Sequence, residues 1–255
     1  MSTKSIKACF RFAAYRLVSI GLGARSGRLP LARFRRVLVV APHPDDESLG
    51  CGGTIAELTA GGAQVWIAVV TDGRASHPGH PNHSPGQIAA MRRLEMGEAA
   101  RHLGVETGHL HFLDYEDGTL ARLPTKARGR LVNDLERLIR SLDPDTILTP
   151  CRRDGSSEHD RATECVSEAL GRSDRRTRLL EYPIWARWQV RPLIRAFFHY
   201  RKVYRVRLGV GLSPKQRAID AHASQLLPLP PFRDPALPAD FRALFDGAHE
   251  LFFEA

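Results

Sequence analysis

Residues 39–53, VVAPHPDDESLGCGG, place His43, Asp45, Asp46 and Glu47 directly behind a run of β-branched residues that stops at Pro42. Buried charge is costly unless it is paired or binds a metal, so four ionisable groups at a strand end call for a partner. His43 and Asp46 lie three residues apart on a turn, close enough to grip one ion. A catalytic zinc site uses three protein ligands and leaves a fourth position for water. The third ligand must come from another strand end, and His159 in CRRDGSSEHD (151–160) is the candidate. Asp45 would then stay off the ion and serve as a base. The competing reading is that Asp45, Asp46 and Glu47 merely cap the next helix, where acids are favoured. That accounts for one acid, not for three and a histidine after a proline.

These groups need a scaffold. RVLVVA (36–41), QVWIAVVTDG (64–73), HLHFLD (109–114) and TILTP (146–150) read as strands. GGTIAELTAGG (52–62), QIAAMRRLEMGEAARHLG (87–104), TKARGRLVNDLERLIRSLDPD (125–145) and DRATECVSEALG (160–171) read as helices, the third stopped by Pro144. This alternation predicts an α/β fold, Rossmann-like and doubly wound, with a mostly parallel sheet and helices on both faces. Ligands in such folds bind at the carboxyl ends of the strands. HPDDE, TDG, LDYEDG and CRRDGSSEHD follow the four strands, so they should converge on one edge. A dinucleotide site is not supported: GCGGT lacks the G-x-G-x-x-G spacing and follows the acids rather than the strand.

The combination resembles the PIG-L/LmbE-like family, zinc-dependent N-deacetylases of N-acetylglucosaminyl compounds. APHPDDESLGCGGT is similar to its first signature, and VVTDG to its second strand. Arg92 and Glu95 match its R-x-x-E helix, Asp117-Gly118 its acidic loop, and KQRAIDAHASQ (215–225) its K-x-x-A-x-x-x-H-x-S-Q element. The resemblance covers roughly residues 36–226. It implies metal ligands His43, Asp46 and His159, and Asp45 as general base. The ion would be Zn2+, or Fe2+, which a His/His/Asp set can also take. The implied substrate is an N-acetylated sugar conjugate, hydrolysed at its acetamide. His222 becomes the candidate donor to the oxyanion. Arg92 and Asp117 would hold sugar hydroxyls, or Arg92 would pair only with Glu95 or a neighbouring helix. One departure stands out: where the family has H-P-D-H, this chain reads SSEH (156–159), which puts Ser156 and Glu158 at two positions around the ligand His159. Hydrolysis of another bond, such as a phosphoester, and non-catalytic binding of a sugar or lipid are the alternatives. A second metal would favour the first, and retention of both Asp45 and Asp46 speaks against the second.

Composition sets the frame: 255 residues, 43% hydrophobic and 25% charged, are ordinary for a soluble globular protein. Four cysteines at 9, 51, 151 and 165 form no close pair, which suits a reduced, cytoplasmic protein. No apolar run reaches the length of a membrane span. The net charge of +9 equals the nine Lys and Arg of residues 1–36, a stretch with no acid. Residues 1–35 thus read as a basic arm ahead of a deacetylase domain at 36–255. Phe10, Phe12, Leu17 and Ile20 among the arginines suit either a solvated leader or an amphipathic helix on an anionic membrane surface, hence a peripheral membrane location. Nucleic acid is not expected as a partner, since no zinc-finger, homeodomain or RRM signature accompanies the charge. His77, His80 and His83 sit in a Pro-Gly loop that reads as a lid. The basic, aromatic segment 172–212, with Trp185, Trp188, Phe197 and Phe198, reads as an insertion or as a platform for an anionic or lipid-linked substrate.

Overall fold

The computed structural model describes residues 3–173, 176–189, 191–200, 202–238 and 240–254. The side chains of residues 3–12, 16, 196 and 197 lie outside that description, and with them the expectations for Phe10, Phe12 and Phe197. The strands are β1 (Gly27–Arg28), β2 (Arg36–Ala41), β3 (Gln64–Thr71), β4 (Leu110–Tyr115), β5 (Thr146–Pro150), β6 (Arg178–Tyr182), β7 (Lys202–Arg207) and β8 (His249–Glu254). The helices are α1 (Thr3–Arg25), α2 (Asp46–Ala60), α3 (Pro85–His102), α4 (Thr125–Leu142), α5 (Ser157–Arg172), α6 (Trp185–Gln189), α7 (Arg191–His199), α8 (Leu212–Ala221) and α9 (Ala223–Leu226).

The strands form one eight-stranded sheet in the order β1-β7-β8-β6-β5-β2-β3-β4. From β6 to β4 every neighbouring pair is parallel. β8 reverses the direction and pairs antiparallel with β6 and β7, and the short β1 extends the sheet parallel to β7. The α/β fold and mostly parallel sheet therefore stand as expected. β2 and β3 are apolar on both faces because both faces are covered. Val37, Val39, Ile67 and Val69 pack with Ile55 of α2, Met96 of α3 and Ile219 of α8. Their alternates Leu38, Val40, Ala68 and Val70 pack with Leu131 and Leu135 of α4 and Val166 of α5. The strand period of two sorts the residues into these two cores.

The boundaries shift where the chemistry is. α2 starts at Asp46, not at Gly52, and breaks its helical geometry at Cys51 (φ −142°, ψ 15°). α5 starts at Ser157, capped by the Ser156 side chain. α3 starts at Pro85 behind a reciprocal Ser84–Gln87 capping box. At the amino end, Tyr15, Val18 and Leu22 of α1 pack into a third cluster with Ala186, Leu193, Tyr200 and Phe253. Among the described residues no helix is long and apolar enough to cross a membrane.

Candidate active site

The turn after β2 is fixed from the neighbouring strand. Thr71 donates both its N–H (2.9 Å) and its hydroxyl (2.8 Å) to the Pro42 carbonyl. His43 therefore emerges at the sheet edge and Asp46 enters the first turn of α2. Between them Asp45 adopts φ 138°, ψ −23°, a region rarely taken by a residue with a Cβ. Three contacts hold it there. Its carbonyl accepts the Leu49 N–H (2.9 Å), its own N–H donates to Glu47 Oε2 (3.2 Å), and its carboxylate lies 3.2 Å from the Arg92 guanidinium. Arg92 also donates to the Pro44 carbonyl, so one buried side chain of α3 anchors both residues.

The break in α2 has its own support. Beyond Cys51 the N–H groups of Gly53 and Thr54 donate to Glu250 of β8, at 2.9 and 2.8 Å. Glu250 is in turn paired with Lys215 of α8 at 2.8 Å, and both side chains are fully buried. The glycines of ESLGCGG belong to this packing. A Cβ on Gly50 would come within 2.2 Å of the Tyr182 ring, and one on Gly53 within 2.4 Å of Leu208.

His43, Asp46 and His159 converge. Asp46 Oδ2 lies 3.2 Å from His43 Nδ1 and 3.3 Å from His159 Nε2, and the three ligand atoms lie within 4.8 Å of one another. His159 Nε2 is buried and makes no hydrogen bond. On its other side Nδ1 lies 2.7 Å from Asp154 Oδ2. A histidine oriented by a carboxylate, with the far nitrogen unpartnered and beside another carboxylate, is the donor arrangement of a metal site. The residues present fit a divalent ion.

The electrostatics agree. Burial works against ionising Asp46, but His159 and His43 outweigh it and hold the carboxyl well below the ordinary range. Burial also opposes charge on His159, yet Asp46 and Asp154 lift its pKa to about 9. Asp45 goes the other way. Burial pushes its carboxyl up to about 6, with Arg92 pulling back and Asp46 pushing further. Two neighbouring carboxyls are thus driven in opposite directions by their surroundings, a division of environments typical of functional sites.

A second set shares His43. Its Nε2 lies 2.8 Å from Glu158 Oε2 and 3.3 Å from Asp117 Oδ1. These two carboxylates also have structural duties. Glu158 accepts the N–H groups of Leu120 (2.7 Å) and Gly118 (3.3 Å), and Asp117 accepts that of Ala75 (3.0 Å). The polar floor opens into a cavity of about 510 Å³. His43, Asp45, Asp46, Arg92 and Asp117 lie on one side of its lining, and Leu49, Ile184, Trp185, Leu237 and Phe241 supply apolar wall.

Residues 38–170 match the PIG-L family model, described as GlcNAc-PI de-N-acetylase. The chain belongs to the PIG-L family. Among curated relatives, the diacetylchitobiose deacetylase of Thermococcus kodakarensis is 31% identical over 208 residues, 77% of this chain and 72% of that one. A probable N-acetyl-alpha-D-glucosaminyl L-malate deacetylase 2 of Bacillus cereus is 32% identical over 117 residues, 45% of this chain and 51% of its own length. Among solved structures, the N,N'-diacetylchitobiose deacetylase of Pyrococcus horikoshii, complexed with its inhibitor MPG, superposes with a TM-score of 0.59 at 26% identity. It covers 77% of this chain and 72% of its own.

In this PIG-L chain the structure brings His43, Asp45, Asp46, Arg92 and Asp117 to the lining of one cavity, with His159 fully buried behind Asp46. Arg92 pairs with Asp45, while Glu95, the other member of the R-x-x-E helix, accepts the N–H and hydroxyl of Ser224, both at 2.7 Å. His222 sits behind the cavity lining. It is buried, with Nε2 3.3 Å from Ser48 Oγ and 3.4 Å from Glu47 Oε1, and Nδ1 has no partner. Asp154 has no role in the sequence reading, and Glu47 enters it only as one of the acids that could cap the following helix. An acid five positions before the candidate ligand His159 is the signal that could have singled out Asp154. The histidine loop is tied down rather than free-standing: His77 and His80 are buried, and His80 Nε2 lies 3.2 Å from the Leu229 carbonyl.

Proposed function

We propose that this chain is a zinc-dependent N-deacetylase that hydrolyses the acetamide of an N-acetylglucosamine-type sugar conjugate, with Fe2+ as the other ion its ligand set accepts. The observation that carries this reading is the His43–Asp46–His159 cluster with Asp45 beside it, at the floor of a cavity large enough for a sugar. The named activities of the relatives support it, since both curated relatives are deacetylases of N-acetylated glucosamine compounds.

His43, Asp46 and His159 would hold the ion. When bound, it supplies Lewis acidity toward the amide carbonyl and makes water easier to deprotonate. Asp45 takes the proton of the attacking water as general base. Arg92 keeps that carboxylate aimed and moderates its pKa. When the C–N bond breaks, Asp45 returns the proton to the leaving amine, so that amide and water become amine and acetate. His222, gripped on its Nε2 side by Glu47 and Ser48, would turn its Nδ1 N–H toward the charge that develops on the carbonyl oxygen. Asp117 and Arg92 would contact sugar hydroxyls. Ile184, Trp185, Leu237 and Phe241 offer an apolar surface to whatever the sugar carries.

The His43–Asp117–Glu158 set favours a second reading, a two-ion hydrolase of another bond such as a phosphoester. The backbone N–H groups already held by these carboxylates argue that they position His43 and the 117–120 loop instead. Metal analysis and a substrate screen separate the two. The first reading expects one ion per chain and equimolar release of amine and acetate from N,N'-diacetylchitobiose or another N-acetylglucosamine conjugate. Two ions per chain with phosphoester turnover and no amine release would overturn it.

A further inference from the structure

Seven large hydrophobic side chains are exposed among the described residues, and four of them, Leu17, Ile20, Ile194 and Phe198, lie on α1 and α7. These two helices pack against each other and against α6. On α1, Tyr15, Val18 and Leu22 face the domain. At roughly 100° per residue, Leu17 and Ile20 come out on the opposite side, 72% and 68% exposed. α7 repeats the plan: Leu193 is buried, and Ile194, Phe198, Arg191 and Arg195 are exposed together.

The charge around this surface has one sign. α1, β1, α6, α7 and β7 contain no Asp or Glu. β7 adds exposed Arg205 and Arg207, on the same strand face as Val203, whereas Lys202 points to the other face and pairs with Glu254 at 3.4 Å. Apolar side chains standing out among cations, on helices lying flat against a domain, are what an interfacial segment presents to a bilayer with anionic headgroups. A nucleic acid would not reward the exposed Leu, Ile and Phe, and an acidic protein groove would not need cations over four elements. α6, packed between the domain and these helices, also carries Trp185 and Gln189 of the cavity lining. The surface thus adjoins the cavity.

We propose that α1 and α7 together form a docking surface for an anionic lipid bilayer. The test is co-sedimentation of the full chain with phosphatidylcholine vesicles, with and without phosphatidylglycerol. Binding is expected only to the anionic vesicles and should weaken as salt is raised. The double variants L17S/I20S and R191E/R195E should each lose at least about tenfold in partitioning. Their far-ultraviolet dichroism and thermal midpoint should match the parent, because all four side chains point away from the packed clusters. Deleting α1 is a poorer test, since it strips Leu22 from the core. Absence of binding to anionic vesicles overturns the proposal, and so does unchanged binding by both variants. A parent dimer in sedimentation velocity that the variants dissociate, without vesicle binding, would make this a self-association surface and likewise overturn it.

Discussion

Asp45 and Asp46 are neighbours with opposite assignments, and single-atom changes should separate them. Asp45→Asn keeps size and removes the proton acceptor. It should retain the ion and lose at least about a hundredfold in kcat, the usual scale of general-base catalysis. Asp46→Asn removes a ligand charge and should lose the ion. Metal content of the purified variants beside turnover decides this, and equal metal loss in both would reverse the division. Arg92 gives a pH prediction. The Asp45 carboxyl is pushed up to about 6 by burial while Arg92 pulls it down. A base works only when deprotonated, so activity should fall as pH drops through its pKa. Removing the pull with Arg92→Gln should move that acid limb upward. Asp154 makes a third case. Asp154→Asn weakens the grip on His159 Nδ1, and the loss of an orienting carboxylate typically costs about 10–100-fold in metal affinity. Because burial is outweighed by Asp46 and Asp154, His159 carries its proton up to about 9, so an ion that takes Nε2 must displace it. Affinity should therefore rise with pH below about 9, with proton release visible by calorimetry in buffers of different ionisation enthalpy.

At the scale of elements, the Lys215–Glu250 pair is the clearest lever on the site helix. Glu250 holds the start of the second segment of α2 and Lys215 neutralises it. Lys215→Met would leave a buried carboxylate uncompensated, a change that typically costs about 3–5 kcal/mol. Chemical denaturation should read that loss. The elements were unevenly legible in the sequence. β2, β3 and β5 could be read because strands buried on both faces are continuous apolar runs. The first turns of α2 could not, because ESLGCGG looks like a helix breaker until Tyr182 and Leu208 are seen pressed against Gly50 and Gly53. β7, β8 and α9 carry no short-range signal as strong, since they owe their form to pairing across the sheet edge and to docking on α3. At the site, the gathering of His43, Asp46 and His159 with Asp45 beside them was readable from residue type and spacing. Glu158 read only as a departure. Its longer side chain reaches His43 and two backbone N–H groups at once, a role set by the fold of the 117–120 loop.

For the whole molecule, an ion that binds only the folded chain should stabilise it by mass action, about 2.7 kcal/mol when present at a hundred times its dissociation constant. Added zinc should raise the thermal midpoint of the parent and leave that of an Asp46→Asn variant unmoved. The Glu250 contact has one more implication, which concerns time. Gly53 and the carboxylate that receives its N–H are 197 residues apart in sequence. On the ribosome the HPDDE motif emerges early, yet the Gly53 and Thr54 N–H groups in the helix behind it have no Glu250 carboxylate to donate to until residue 250 has been made. Completion of the site thus waits for β8, and a nascent chain arrested at residue 248 would display His43, Asp46 and His159 without the Glu250 contact that fixes the second segment of α2.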